Sequence, residues 1–366
     1  MKNQSKQLSM RESMDSLSQL LLGPRQGPGI ELSRRLFGLS NQEFSDFLDL
    51  AQLNHVIVRG LNILLDAKGG ERGNDACVKL AQEALDAEQS RIRTATHFLH
   101  EVCQTLEDRG HRAVVIKSLD HWPDLGSDLD LYTDSRPRDI CKFMTEYLHA
   151  TISARSWGDR LACKWNFQIP GLPEAIEIHI GRLGQTGEQA AIASTLIERS
   201  RLKEIQGHTF RVASIADRLM ISTLQRMYRH FFFRLSDVID SAELMDADLV
   251  DYNELRAQAT QAGIWEGVAA YLKIVSDYVK NYRGTGPELP QFVKDGARFG
   301  GEKVYYGKSF LRVPIMPQSV GLYRTQLAGI LKKGELQNGA RLGLLPMLAT
   351  AAALGQKLTG SDKGIW

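Results

Sequence analysis

Four cysteines in 366 residues, Cys77, Cys103, Cys141 and Cys163, stand far apart and form neither a CxxC pair nor a Cys/His ligand spacing. That scarcity excludes a disulfide framework and a cysteine-based zinc site, and reduced thiols in a cytoplasmic protein are the expectation. Charge of one sign is missing too. Lys and Arg number 45 against 43 Asp and Glu, a formal net charge of +2, so the overall balance carries no strong nucleic-acid signature. Nor is there a long apolar run. The most apolar stretch, Leu342 to Leu354, is broken by Gly343 and Pro346. It falls short of the ~20 residues of a membrane-spanning helix, so no transmembrane segment is expected and a buried helix is. Met1 to Ser18 is rich in Ser, Gln, Lys and Met, and no secretory leader is expected there.

What is present is an ordinary globular composition, 43% hydrophobic and 24% charged, with enough chain for two or three packed subdomains. A breaker cluster from Gly23 to Gly29 closes residues 1–29, which read as a flexible tail. Residues 30–109 read as helical. Ser40 with Glu43 makes a capping box, and helices are expected over about Leu53 to Leu65 and Ala76 to Arg109. The last carries Ile92, Ala95, Phe98, Leu99, Val102 and Leu106 at helical spacing.

At Gly110 the period changes. Ala113 to Ile116 and Leu129 to Tyr132 read as buried strands, with an amphipathic helix from Arg138 to His149. Trp165 to Ile169 and Ile176 to Ile180 alternate strictly around Pro170-Gly171-Leu172-Pro173, which predicts a hairpin; His208 to Val212 is expected to close the sheet. Ser214 with Asp217 then opens a helical region over 214–283, followed by an extension over 284–366 with a terminal helix. The class this implies is α+β: a small mixed sheet over 110–213 between an N-terminal helical segment and a C-terminal helical domain.

Two aspartates stand out. Asp128 and Asp130 project from the same face of one strand. Like charges held side by side cost energy unless a cation bridges them. Glu177 shares a strand face with His179, and if that strand pairs near the aspartates, Asp128, Asp130 and Glu177 can hold a pair of magnesium ions. Such a site suits a nucleoside triphosphate. Gly126 and Ser127 leave a small approach to the acids, while Lys117 and Ser118 end the preceding strand where a short helix could offer free amides to phosphate. His179 could contact substrate or could simply bond to Glu177. The run His230 to Arg234 reads as helical with its aromatics partly in the core, and Arg226, Arg229 and Arg234 either as a cationic strip facing the site or, with more weight, as a solvated face.

Together these residues resemble a known pattern. A strand, Lys117-Ser118, nine residues and then Asp128-Leu129-Asp130 is similar to the nucleotidyltransferase superfamily typified by DNA polymerase β. More narrowly it resembles an uncharacterised bacterial nucleotidyltransferase family with a Leu-Lys-Gly, Tyr-Pro-Asp and Asp-Ile-Asp-Leu signature. Ile116-Lys117-Ser118, Trp122-Pro123-Asp124 and Asp128-Leu129-Asp130-Leu131 stand in those places, with Glu177-Ile178-His179 as the later acid-aliphatic-His element. Arg211 to Asp217 resembles the strand and helix start that follow, and His230, Phe233-Arg234-Leu235 and Asp237 to Asp240 the helical part. The likeness spans about residues 30–250; Ser118 replaces a glycine, and Glu177 stands where Asp is commoner.

The resemblance implies transfer of a nucleoside monophosphate from an NTP to a hydroxyl, with release of pyrophosphate. With no basic stripe in the sequence, the acceptor is expected to be a small molecule or a protein. The alternatives are a non-catalytic nucleotide- or partner-binding relative and a toxin-like enzyme modifying tRNA or protein.

Overall fold

Ser9 starts the first helix by a reciprocal cap: its hydroxyl accepts the Glu12 amide at 3.3 Å while the Glu12 carboxylate accepts the Ser9 amide at 2.8 Å. The helix that follows, α1 (Met10–Leu22), buries Met14, Leu17, Leu20 and Leu22. The computed structural model describes residues 9–24, 28–67, 75–298, 304–307, 309–314 and 318–359. The segment expected to be a flexible tail is therefore a packed helix from Met10 to Leu22, its apolar positions at helical spacing having been masked by the Ser- and Gln-rich composition around them. The rest of that segment, 1–8 and 25–27, lies outside the described residues.

Helices α2 (Pro28–Phe37), α3 (Asn41–Leu53), α4 (Ile57–Asp66) and α5 (Asp75–Asp108) complete the N-terminal region. The Ser40 capping box opens α3 as expected. His55 takes a left-handed φ of 53° between α3 and α4, which turns the chain so that α4 packs against α1 and α5. Along α5, Ala81, Leu85, Ile92, Ala95, Leu99, Val102 and Leu106 form one buried stripe.

The sheet has seven strands: β1 (Ala113–Val115), β2 (Asp128–Thr133), β3 (Thr151–Ile152), β4 (Lys164–Gln168), β5 (Ala175–Ile180), β6 (Arg201–Ile205) and β7 (His208–Val212). Their order is β3-β4-β5-β2-β1-β7-β6. β2 runs antiparallel to β1 and parallel to β5, and the β4–β5 hairpin forms as the alternation predicts. Helices α6 (Pro137–Glu146), α7 (Trp157–Leu161) and α8 (Ala190–Ala193) connect the strands. Two strands of this sheet, β3 and β6, had no sequence forecast. β6 is an edge strand with exposed Arg201, Leu202 and Glu204, the charged pattern of a protected edge. It joins β7 through Gln206 and Gly207, both at positive φ (52° and 76°), as a two-residue hairpin turn requires. The sheet thus closes on β6 rather than on β7.

Ser214 caps α9 (Ile215–Thr223), which continues into a π-helical turn over Leu224–His230. Phe231 then adopts a left-handed conformation, φ 54°, and ends the helix. The aromatic run is therefore not helical. Phe232 and Phe233 form β8, which pairs with β10 (Phe310–Arg312), and that strand with β9 (Tyr305–Gly307). Phe233 is buried against Tyr271 at 5.1 Å between ring centres, and Phe232 stacks on Phe310 at 4.3 Å. The rest is helical: α10 (Leu235–Asp246), α11 (Tyr252–Gln261), α12 (Trp265–Arg283), α13 (Gln291–Gly296), α14 (Gln318–Lys332) and α15 (Leu336–Thr359).

The apolar C-terminal stretch forms a helix but not a buried one. Along α15, Leu342 and Ala352 are covered, whereas Met347 is 68% and Leu358 83% exposed. Its packing partner is α14, and one neighbour can cover only one stripe of a helix. Among the described residues no helix is long and apolar enough to cross a membrane.

Because Leu17 is fully buried between α4 and α12, Leu17→Ala should cost ~2–5 kcal/mol in urea unfolding. A loss below ~0.5 kcal/mol would mean that α1 is not part of the cooperative core.

Candidate functional site

The site is set by strand register. In the parallel β2–β5 pair, Asp130 lies opposite Glu177 and Tyr132 opposite His179, while Asp128 faces Ala175. Leu129 and Leu131, pointing the other way, are fully buried. Burial of that leucine face fixes the register and forces the acids onto the opposite face. Asp130 and Glu177 are thus lateral neighbours. Asp128, two residues earlier, has no carboxylate beside it on β5. On the other side of β5, Lys164 pairs in register with His179 and Asn166 with Glu177.

Cations gather on this acidic face. Lys117 Nζ pairs with Asp130 Oδ1 and lies 3.7 Å from Glu177 Oε1. Lys164 Nζ sits 3.0 Å from Glu177 Oε2 and 2.9 Å from Asp159. His179 Nε2 is 3.0 Å from Glu177 Oε1 and 3.8 Å from Asp130 Oδ1. Of the two roles expected for His179, the bond to Glu177 is present. Burial works against the charge on Glu177, but Lys117, His179 and Lys164 outweigh it and hold the carboxyl well below its usual range. Burial likewise opposes the charge of Lys164, yet the surrounding acids raise its pKa overall, Glu177 foremost. Asp128 differs. Partial desolvation, then Asp130 and Glu177, raise its pKa, and its carboxylate has no hydrogen bond or ion pair among the described residues.

Asp130, Glu177 and His179 bring one ligand atom each within 4.8 Å of one another and could hold a metal ion. This cluster differs from the sequence expectation, in which Asp128 completed the set. Strand pairing is the reason: it supplies Asp130 with a lateral partner and gives Asp128 none.

Lys117, Ser118, Gly126, Ser127, Asp128, Asp130 and Glu177 all line one cavity of about 320 Å³, and His179 does not. Ser118 is there, but its hydroxyl is committed. It accepts the Asp130 amide at 2.7 Å and donates to the Asp128 carbonyl at 3.2 Å, pinning the start of β2. The expected short helix is a single 3₁₀ turn, Ser118–His121, too brief to carry much dipole. Lys117, expected to face phosphate, is engaged by the acids. Gly126 is demanded by a close approach: a Cβ there would meet the His55 ring at 3.1 Å.

The facing wall comes from the π-helical turn and β8, through Gln225, Arg226, Arg229, His230, Phe232 and Arg234. The three arginines are therefore not a solvated face. Arg226 is only 3% exposed and pairs with Asp237 at 2.8 Å. The π winding and the left-handed Phe231 turn this segment toward the acids, a deviation that spacing alone does not reveal. Burial, then neighbouring cations, pushes the pKa of His55 down to about 2, and that of His230 likewise to about 2. The cavity has an acidic floor and a cationic wall. Chemically, that combination suits a divalent cation below and a polyanion above.

A buried network fixes the loop between Ser118 and Asp128. Arg59 Nη2 lies 2.6 Å from Asp240 Oδ1 and donates to the Trp122 carbonyl at 2.7 Å. His121 Nδ1 meets Asp240 Oδ2 at 2.5 Å, and Asp124 accepts the Val58 amide at 2.7 Å. Sequence reasoning missed Arg59 and His55, which come from elements remote in the chain and carry no local signal, and named Asp240 only within the Asp237 to Asp240 resemblance, without a place at the site. Lys164 was within reach: strict alternation from Trp165 puts its neighbour Lys164 on the face of Asn166 and hence of Glu177.

By proton NMR, both His55 and His230 should stay neutral down to ~pH 5, since each folded-state value lies far below the usual 6.5. A midpoint near 6.5 for His230 would contradict a closed cationic wall. No family model, curated protein or solved structure matches the chain.

Proposed function

We propose that the chain is a magnesium-dependent nucleotidyltransferase with a polymerase β-like core, transferring a nucleoside monophosphate from an NTP to a hydroxyl of a small molecule or a protein. The observation that supports this most is the register of Asp130 beside Glu177, with Asp128 on the same face, below a wall of Arg226, Arg229 and Arg234. Magnesium prefers hard oxygen donors. The residues fit it: the Asp128 carboxylate has no hydrogen bond or ion pair among the described residues, and desolvation, then the like charges of Asp130 and Glu177, raise its pKa, a strain that a cation relieves. Asp128, Asp130 and Glu177 would hold up to two ions. Bound magnesium would supply charge neutralisation on the triphosphate and a lower pKa for the acceptor hydroxyl.

The side chains have separable tasks. The arginine wall would take the triphosphate oxygens, since guanidinium groups match phosphate geometry. In the transfer, the acceptor oxygen bonds to the α-phosphorus and the bond to the bridging oxygen breaks. Pyrophosphate leaves with that electron pair. Glu177, stabilised in its charged form, is a weak base, which leaves Asp128 to take the hydroxyl proton. Lys117 would release Asp130 and turn to phosphate.

One observation favours a second reading, a non-catalytic binding relative. Lys117 and Lys164 already pair with Asp130 and Glu177 without a metal.

Incubation with each α-labelled NTP, magnesium and a cell extract separates the two. Transfer should occur and fall by about a hundredfold or more in Asp130→Asn, with a smaller loss in Glu177→Gln and folding intact in both by circular dichroism. NTP binding without any transfer would favour the non-catalytic reading, and full activity in Asp130→Asn would remove the metal assignment.

A further inference from the structure

A second cavity, of about 390 Å³, adjoins the acidic one, with Lys117, Gln225 and Arg229 lining both. Its character is opposite. Leu183, Ile221, Leu224, Tyr323, Leu345 and Pro346 make its walls apolar. They come from α9, the π-helical turn, α14, α15 and the loop after β5, so the C-terminal helices close a chamber against the sheet region. Its volume lies in the range that holds a small organic molecule.

Two polar groups in this lining are left over. Gln326 is 2% exposed, and its Nε2 has no hydrogen-bond partner among the described residues; the same holds for Nδ1 of buried His179. A buried unpaired amide is costly in an apolar chamber, and a ligand oxygen or ring nitrogen would satisfy it. The remaining nitrogen of His179 already bonds to Glu177 at 3.0 Å. One side of the chamber therefore reaches the acids through His179.

We infer that this cavity seats the acceptor: a small molecule with an apolar body that accepts a hydrogen bond from Gln326 and extends a hydroxyl past Lys117 to Asp128 and Asp130. The inference rests on the nucleotidyl-transfer reading and deepens it, because a predominantly apolar chamber excludes a sugar or a polyol and its size excludes a polymer. The acceptor O–H oxygen forms the bond to the α-phosphorus, the bridging phosphoanhydride P–O bond breaks, pyrophosphate carries off the electron pair, and the proton passes to Asp128.

Decanol and xylitol serve as probes in calorimetry without nucleotide. Decanol should bind wild-type protein and Asp130→Asn alike, and xylitol neither. Ala349→Trp, at an exposed position of α15 lining the chamber, should weaken decanol about tenfold, and Gln326→Leu should change it less. The labelled product from the cell extract should be a small molecule retained on a reverse-phase column, with decanol suppressing its formation. Absence of decanol binding, or binding indifferent to Ala349→Trp, overturns the chamber. Label on RNA, protein or an unretained polar product overturns the acceptor class. No label anywhere, with Ala349-dependent decanol binding intact, overturns the transfer reading instead.

Discussion

Two carboxylates at adjacent positions of parallel strands, Asp130 on β2 and Glu177 on β5, are the constraint around which the site is arranged. Side by side in a partly dehydrated place they repel, and folding must answer that repulsion with positive charge. Lys117 and Lys164 provide it from two separate segments, and His179 adds a hydrogen bond to Glu177. The buried leucines Leu129 and Leu131 make the arrangement unavoidable, since a one-residue slip would send the acids into the core. Ser118, tied to both backbone ends of the Asp128–Asp130 pair, holds the strand start in place.

The surrounding elements keep this face enclosed and charged. Arg59 and Asp240 bind the 118–126 loop to α4 and α10, so the floor of the cavity is anchored to the helical regions on both sides of the sheet in sequence. The π-helical turn supplies the opposite wall and, on its other side, part of the apolar chamber. A regular α-helix would carry Phe231 onward along its axis; instead Phe231 takes a left-handed conformation and Phe232 enters a strand. That single break separates a polar cavity from an apolar one while letting Gln225 and Arg229 serve both.

Much of this was legible in the chain itself. Period-two alternation at Trp165 to Ile169 and Ile176 to Ile180, together with the Asp128–Asp130 spacing, located the hairpin and the acidic face, because strand geometry is a local property. What escaped was non-local. Register brought His179, rather than Asp128, into the tightest ligand cluster, and nothing short of the paired strands reveals that. Of the two readings open for Arg226, a solvated face carried more weight than a strip facing the site, yet the turn to β8 buries it with Asp237. In α1, helical spacing at Met14, Leu17 and Leu20 was present and was overridden by polar composition. The apolar pattern of α15 misled in the opposite sense: hydrophobicity marked the helix without marking a partner to cover it.

On the proposed function, the acidic face is a divalent-cation site that lysine occupies when no metal is bound. Manganese, a paramagnetic stand-in for magnesium, can be titrated into wild-type protein, Lys117→Met and Asp130→Asn and followed by electron paramagnetic resonance. Binding should be saturable, tighten in Lys117→Met, where the competing ammonium is gone, and be lost in Asp130→Asn. Equal binding in all three proteins would contradict it.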